Sequence, residues 1–242
     1  MRVVFMIGCY LLMCCTQSTD QPTFRILVFS KTKGFKHESI PKGIAAIQKL
    51  GIDSKFLVDT TKNASLFTDD NLKNYKAVVF LSTTGDVLDE QQQEAFQGYI
   101  RNGGGFVGIH SAADTEYDWP WYNELLGAYF LSHPKQQTAT IVVIDKSHPA
   151  TSMLPDKWTR YDEWYNYKNI ISDVHVLCKL DESSYSGGAN GDNHPFAWYR
   201  EFDGGRSFYT GAGHTDESYS EPLFLQHILG GIEYAMGKSK TK

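Results

Sequence analysis

A chain of 242 residues, 41% of them hydrophobic, is long enough for one large or two small domains with a substantial core. Its net charge of −5 and the lack of any basic cluster argue against nucleic acid or an anionic membrane surface as a partner. Aromatic side chains are abundant (14 Tyr, 14 Phe, 5 Trp), which suits a packed core and also a ligand site with stacking walls.

Residues 1–19 read as a signal segment. Met1-Arg2 supplies one positive charge, Val3 to Cys15 is almost wholly apolar, and Thr16 to Pro22 is polar. That apolar run is too short to span a bilayer but suits the core of an export signal. Three of the four cysteines, Cys9, Cys14 and Cys15, fall inside it, so the mature chain keeps only Cys178 and forms no internal disulfide. Cys14-Cys15 behind Leu11-Leu12-Met13 resembles a bacterial lipobox with Cys15 as the lipidated residue. The expected location is the bacterial envelope, either periplasmic or lipid-anchored, with no transmembrane span. Residues 20–242 then form a single domain.

Phe24 to Ser30 predicts the first core strand, and Lys31 to His37 a polar loop. Glu38-Ser39 opens a helix with Pro41 in its first turn and Ile44, Ala45, Ile47 and Leu50 on its apolar face; Gly51 is expected to stop it. Lys55 to Asp59 and Lys76 to Ser82 predict two more strands, with a short helix capped at Asp69-Asp70 between them. Asp89 is the expected N-cap of a helix that turns Ala95, Phe96, Tyr99 and Ile100 inward. Gly103-Gly104-Gly105 leads into the strand Phe106 to Ile109, which stops abruptly at His110-Ser111 with Asp114 one turn on. Strand and helix alternate to this point, the rhythm of a parallel doubly wound sheet.

Beyond Asp114 the rhythm loosens. Asp118 to Leu126 suits a short helix, Thr138 to Ile144 and Val174 to Leu180 suit strands, and residues 145–170 read as a long aromatic connection. Ser183 to Asn193 reads as a loop. Phe196 to Phe202 and Arg206 to Thr210 form a hairpin turning at Asp203-Gly204-Gly205, and Glu221 to Met236 closes the chain as an amphipathic helix.

Four polar clusters hold the candidates for chemistry: His37-Glu38-Ser39, His110-Ser111 with Asp114, Tyr161-Asp162-Glu163-Trp164-Tyr165, and Gly211-Ala212-Gly213-His214-Thr215-Asp216-Glu217. In open α/β sheets, ligands bind beyond the carboxyl ends of the strands, where the first two clusters fall. Gly108-Ile109-His110-Ser111-Ala112 puts histidine where a Gly-x-Ser-x-Gly elbow carries its nucleophile, which excludes that serine-hydrolase pattern. Cys178 sits within a strand, away from any elbow. No glycine-rich phosphate or dinucleotide loop follows the first strand. No local His pair at metal-ligand spacing is present, so the sequence requires no metal. Should a divalent ion such as zinc bind, its ligands are expected among His37, Glu38, His110, His133 and His214. His133-Pro134 and His148-Pro149 read mainly as turns, and His175 and His227 as structural.

Phe35-Lys36-His37-Glu38-Ser39-Ile40-Pro41, Gly104 to Ala112, Asp162-Glu163-Trp164-Tyr165 and Gly205 to Thr215 resemble, in this order, the motifs of the ThuA-like family, the bacterial trehalose-utilisation proteins. The resemblance covers about residues 24–236. It implies an α/β three-layer, flavodoxin-like sandwich of the class I glutamine amidotransferase type with a mostly parallel central sheet. In those amidotransferases the elbow carries cysteine; with His110 there, amidotransferase chemistry is not expected. The resemblance further implies a role in sugar catabolism, in particular with 3-keto sugars and glycosides.

A carbonyl acidifies its neighbouring C–H groups, so histidine and carboxylate are suited to take and return a proton there. The expected catalytic groups are His110 or Glu38 as base and His214 as acid. His37, Ser111, Asp114, Trp119, Tyr161, Asp162, Glu163 and Trp164 are the expected substrate-binding set, with Trp121 a further candidate for stacking. Two alternatives stand beside an acid–base enzyme: a non-catalytic carbohydrate-binding or accessory protein on the same scaffold, and a metal-dependent hydrolase.

Overall fold

The computed structural model describes residues 24–238. The stretch read as an export signal, with Cys9, Cys14, Cys15 and the lipobox-like run, lies outside the described residues, as do the last four residues of the basic tail. In chain order the elements are β1 (Arg25–Phe29), α1 (Ile40–Ser54), β2 (Leu57–Thr61), α2 (Asp69–Leu72), β3 (Ala77–Leu81), α3 (Glu90–Arg101), β4 (Gly105–Ile109), α4 (Pro120–Leu126), β5 (Tyr129–Ser132), β6 (Gln137–Val143), β7 (Lys157–Asp162), β8 (Asn166–Lys168), β9 (His175–Asp181), β10 (Pro195–Phe202), β11 (Gly205–Thr210) and α5 (Pro222–Ala235). No helix among the described residues is long and apolar enough to cross a membrane.

The central sheet runs β2-β1-β3-β4-β11-β10-β9-β6-β7. From β2 to β11 all neighbours are parallel. From β11 to β7 all are antiparallel. β3 (AVVFL) and β4 (GFVGI) are buried at every residue, as expected of strands covered on both faces. Alternate side chains feed two cores. Val79, Val107 and Ile109 join Ile47 of α1 and Phe224, Ile228 and Ile232 of α5. Phe80 and Phe106 join Phe96 and Ile100 of α3 and Tyr122 and Leu125 of α4. The result is the three-layer α/β sandwich, with a mixed sheet that is parallel in its first half.

Local chemistry explains most of the element ends. Asp89 and Gln92 form a reciprocal capping box on α3. Thr68 caps α2, so Asp69 and Asp70 occupy its first turn instead of the cap. Gly51 does not stop α1, which runs on to Ser54 and ends at Lys55 in the left-handed region (φ 60). Gly51 is there for space: a Cβ would lie 2.6 Å from a Val58 methyl carbon, so only glycine lets β2 pack this close. The stretch 145–170 holds β7 and β8. β7 (KWTRYD) hides because Arg160 and Asp162 point inward beside Trp158, so its period-2 pattern is not apolar against polar.

The topology fixes where the loops meet. β1, β4 and β11 are parallel, so their carboxyl ends share one edge. Four antiparallel steps separate β11 from β7, so β7 points the same way and Asp162-Glu163 emerges at that edge too.

Candidate functional site

His110 is the first residue after β4 and opens a single 3-10 turn, His110–Asp114. Its φ is 52, a left-handed conformation that a non-glycine residue adopts at a cost, and such strain clusters at functional sites. The Tyr209 hydroxyl donates to the His110 carbonyl at 2.8 Å and fixes the turn. The imidazole is wholly buried and lies against Tyr165, ring centroids 4.3 Å apart. Its Nδ1 is 2.9 Å from the Gly211 carbonyl, which can only accept, so Nδ1 carries the proton and Nε2 faces the centre unprotonated.

Three groups surround that nitrogen. His37 Nε2 is 3.1 Å away, His214 Nδ1 3.3 Å and Glu163 Oε2 3.5 Å. His214 Nδ1 and Glu163 Oε2 are 3.1 Å apart. One atom from each of the four residues lies within 4.8 Å of all the others. Unprotonated nitrogens and a carboxylate oxygen at such spacing repel unless a proton or a cation sits among them. A tetrahedral ion with bonds of about 2.0–2.1 Å separates its ligand atoms by roughly 3.3 Å. These four spacings bracket that value, and three imidazoles with one carboxylate suit zinc and its neighbours among divalent ions. The residues fit such an ion.

Outer contacts orient each of the four. His37 sits where the loop after β1 turns inward; Ser111 Oγ is 3.3 Å from its Nδ1. Burial, aided by the neighbouring His110 and His214 imidazoles, pushes the His37 imidazole down to about 2, so it stays neutral and able to donate a lone pair. Ser39, two residues on, donates its hydroxyl to the Gly213 carbonyl at 3.0 Å and ties this loop to the one after β11. Burial favours the neutral acid at Glu163, but the His110 and His214 imidazoles beside it outweigh that and hold the carboxylate well below the usual range. His133 Nδ1 lies 3.1 Å from the other Glu163 oxygen.

Asp162 fixes the frame. It is fully buried. One oxygen accepts from the Glu163 and His214 amides at 2.9 and 3.1 Å. The other accepts from the Gly213 amide at 3.0 Å and the Ser218 hydroxyl at 2.9 Å, with Arg160 Nη2 at 3.3 Å. Gly213 has φ +118, and a Cβ there would come within 2.7 Å of the Tyr219 hydroxyl.

His37, His110, Glu163 and His214 therefore converge, with Ser111 directly behind His37. Glu38 does not: it is exposed, because His37 and Ser39 on either side both face inward. His133 stands behind Glu163 and not among the inner four; its Nδ1 faces two acceptors, Glu163 and the Pro134 carbonyl at 3.0 Å. Asp162 is spent on the backbone and faces no ligand. Asp114 is bound by the Tyr117 hydroxyl at 2.6 Å. Trp119 is stacked on Trp121 at 5.0 Å, and Trp121 bonds Asp203 at the opposite edge of the sheet. Tyr161 is exposed on an outer face of β7, and Trp164 is a core residue whose indole donates to the Gln137 carbonyl. Sequence reasoning placed Glu163 among sugar-binding groups and missed it as a ligand atom. It also missed Ser218, and it named Ser39 and Tyr165 only as members of their clusters, because their roles depend on contacts across the fold. A cavity of about 420 Å³ beside Tyr75, Tyr99 and Gly103-Gly104 lies at the amino ends of β3 and β4, away from this centre.

Fold and site define a three-layer α/β scaffold whose β4 elbow presents a histidine to a buried histidine–carboxylate centre. Residues 25–235 match the ThuA family, described as trehalose utilisation, and the chain belongs to that family. A ThuA-like protein from Bacteroides uniformis ATCC 8492 is similar over 91% of this chain and 94% of its own, at 25% identity and a TM-score of 0.79. Another from Parabacteroides merdae ATCC 43184 covers 90% and 92%, at 22% identity and a TM-score of 0.76. A β-galactosidase from Bacillus circulans shares the fold over 88% of this chain and 31% of its own, at 13% identity and a TM-score of 0.59. Comparison with curated proteins gives no match.

Proposed function

We propose that this protein is a divalent-metal-dependent enzyme of sugar catabolism acting on a sugar or 3-keto-glycoside. The observation that carries the reading is the convergence of His37, His110, Glu163 and His214 at spacings that suit a bound ion. A divalent ion at that centre supplies polarisation of a substrate carbonyl or hydroxyl oxygen. The rest falls to the chain's own groups. His110, wholly buried and with Nδ1 committed to Gly211, is a fixed ligand and not a proton carrier. The His214 side chain is 16% exposed, so it is the inner imidazole that a substrate arriving from solvent meets first. Glu163 completes the set with Oε2, and His133 lies 3.1 Å from its other oxygen. Family membership and the C–H acidity beside a sugar carbonyl support the substrate class. The apolar run behind Arg2 supports export, to the periplasm or to a lipid anchor.

The test is purification of residues 20–242 without chelators, metal analysis, and incubation with 3-keto-glucosides in D2O followed by NMR. The expected result is about one divalent ion per chain, with deuterium uptake or product formation that disappears in His110→Ala and His214→Ala. Full activity in protein stripped of metal would refute the metal assignment. Sugar binding without turnover that survives both substitutions would favour a carbohydrate-binding accessory protein.

A further inference from the structure

Phe35, in the loop after β1, is 64% exposed. Its ring meets the buried His37 ring edge to face, centroids 4.9 Å apart. The backbone beneath it is pinned. Thr84 Oγ1 donates to the Phe35 carbonyl at 2.9 Å and accepts from the Gly34 amide at 3.2 Å, and the Lys33 amide donates to the Thr84 carbonyl at 2.7 Å. The ring is thus carried out into solvent by a loop fixed at three points, and it abuts one of the four groups of the centre. Lys36 and Glu38, on either side of His37 in the chain, are exposed.

A pyranose ring presents C–H groups on its faces and hydroxyls around its rim. Aromatic rings pack against such C–H faces, and an exposed aromatic wall beside a polar centre orients a sugar without reacting with it. The aromatics read from the sequence as sugar-stacking candidates are elsewhere, since Trp119 and Trp164 are buried in the two cores. We infer that Phe35 is the stacking wall of the substrate site, holding one face of a pyranoside ring over His37 so that the sugar's reacting carbon faces the His37–His110–Glu163–His214 centre. Phe35 is on this account a specificity-determining residue that touches substrate and takes no part in proton transfer. The inference rests on the sugar-binding reading above.

The experiment uses the zinc-loaded mature chain and methyl 3-keto-glucopyranoside as probe. Aromatic protein protons are saturated selectively and transfer to the sugar C–H protons is read by NMR, together with Kd and metal content, for the native protein, Phe35→Ala and Phe35→Trp. The expected result is transfer to protons on one ring face, lost in Phe35→Ala and kept in Phe35→Trp. Kd should rise about tenfold in Phe35→Ala, with metal content unchanged. Unchanged transfer and Kd in Phe35→Ala would overturn the stacking role while leaving the sugar-enzyme reading intact. Loss of metal in Phe35→Ala would also overturn it, making the ring a prop for His37. Absence of any pyranoside binding by the zinc-loaded native protein would overturn the sugar reading, and the inference with it.

Discussion

Replacing Asp162 by Asn changes one oxygen for an amide and should cost this protein much of its stability. The native carboxylate accepts from the Gly213, His214 and Glu163 amides and from the Ser218 hydroxyl, and it pairs with Arg160, which is itself buried. An asparagine retains one acceptor oxygen. Its NH2 group must then face donors that it cannot satisfy, and the Arg160 charge loses one of its two carboxylate partners, the one at 3.3 Å, keeping Glu221 at 2.9 Å. Breaking one side of a buried ion pair costs about 3–5 kcal/mol, and each buried amide left without an acceptor costs about 1–3 kcal/mol. Some of these costs overlap, so the expected loss is about 3–5 kcal/mol. For a domain of this size that lowers Tm by roughly 6–20 °C. Urea unfolding at constant m and thermal unfolding by circular dichroism measure it, and zinc affinity should fall in parallel because the same carboxylate holds the His214 and Glu163 backbone. A variant within about 1 kcal/mol of native stability would refute the claim that Asp162 is a frame for the site and return it to the ligand-facing groups.

Four further outcomes follow from the same geometry. Glu163→Gln should fold normally yet lose metal affinity by more than the roughly 100-fold typical of a lost outer partner, read by competition with a chelator. Ser111→Ala removes the hydroxyl beside His37 Nδ1 and should weaken zinc by about 10–100-fold with Tm nearly unchanged. Gly213→Ala places a methyl at φ +118 against Tyr219 and should both destabilise the fold and reduce metal occupancy, measured on one sample by calorimetry and metal analysis. Away from the centre, burial pushes His148 down to about 4, aided by the charge of His227. Burial likewise takes His227 to about 4 against the opposing hydrogen bond to the Ala150 carbonyl. Unfolded histidine titrates near 6.5, so below that pH the unfolded chain holds protons that the folded one lacks. Stability is then complete above pH 6.5 and falls by up to about 2.7 kcal/mol per pH unit towards pH 4. A urea midpoint that stays flat from pH 7 to pH 5 would contradict this.

The parallel half of the sheet was legible because its strands are short apolar runs bounded by glycine, Asp caps and helix-period stretches. The elbow was legible too, since an apolar strand ending at a histidine is a local signal. β7 was not, because buried Arg160 and Asp162 find Ser218, Glu221 and the Gly213 and His214 amides as partners from distant parts of the chain and so break the apolar alternation that marks a strand. That omission is also why Glu163 was not placed among the ligand atoms: without β7 nothing brought it to the edge shared by His37, His110 and His214. Glu38 misled for a related reason, as a carboxylate next to a histidine in sequence points the opposite way when its neighbours both face inward.

The place of β11 beside β4 bears on how the molecule comes together. The Gly105–Ile109 edge of β4 waits for Gly205–Thr210, about a hundred residues later, before its ladder is complete. Loop closure over that distance is slow, and an apolar strand edge left open during synthesis is a template for wrong pairing. His214 and the Gly211 carbonyl that sets the His110 tautomer arrive only with this last insertion. The metal centre would thus be completed only when the final strand docks, and zinc capture timed against chain elongation or refolding would report the closing step of the whole fold, not the growth of its first half.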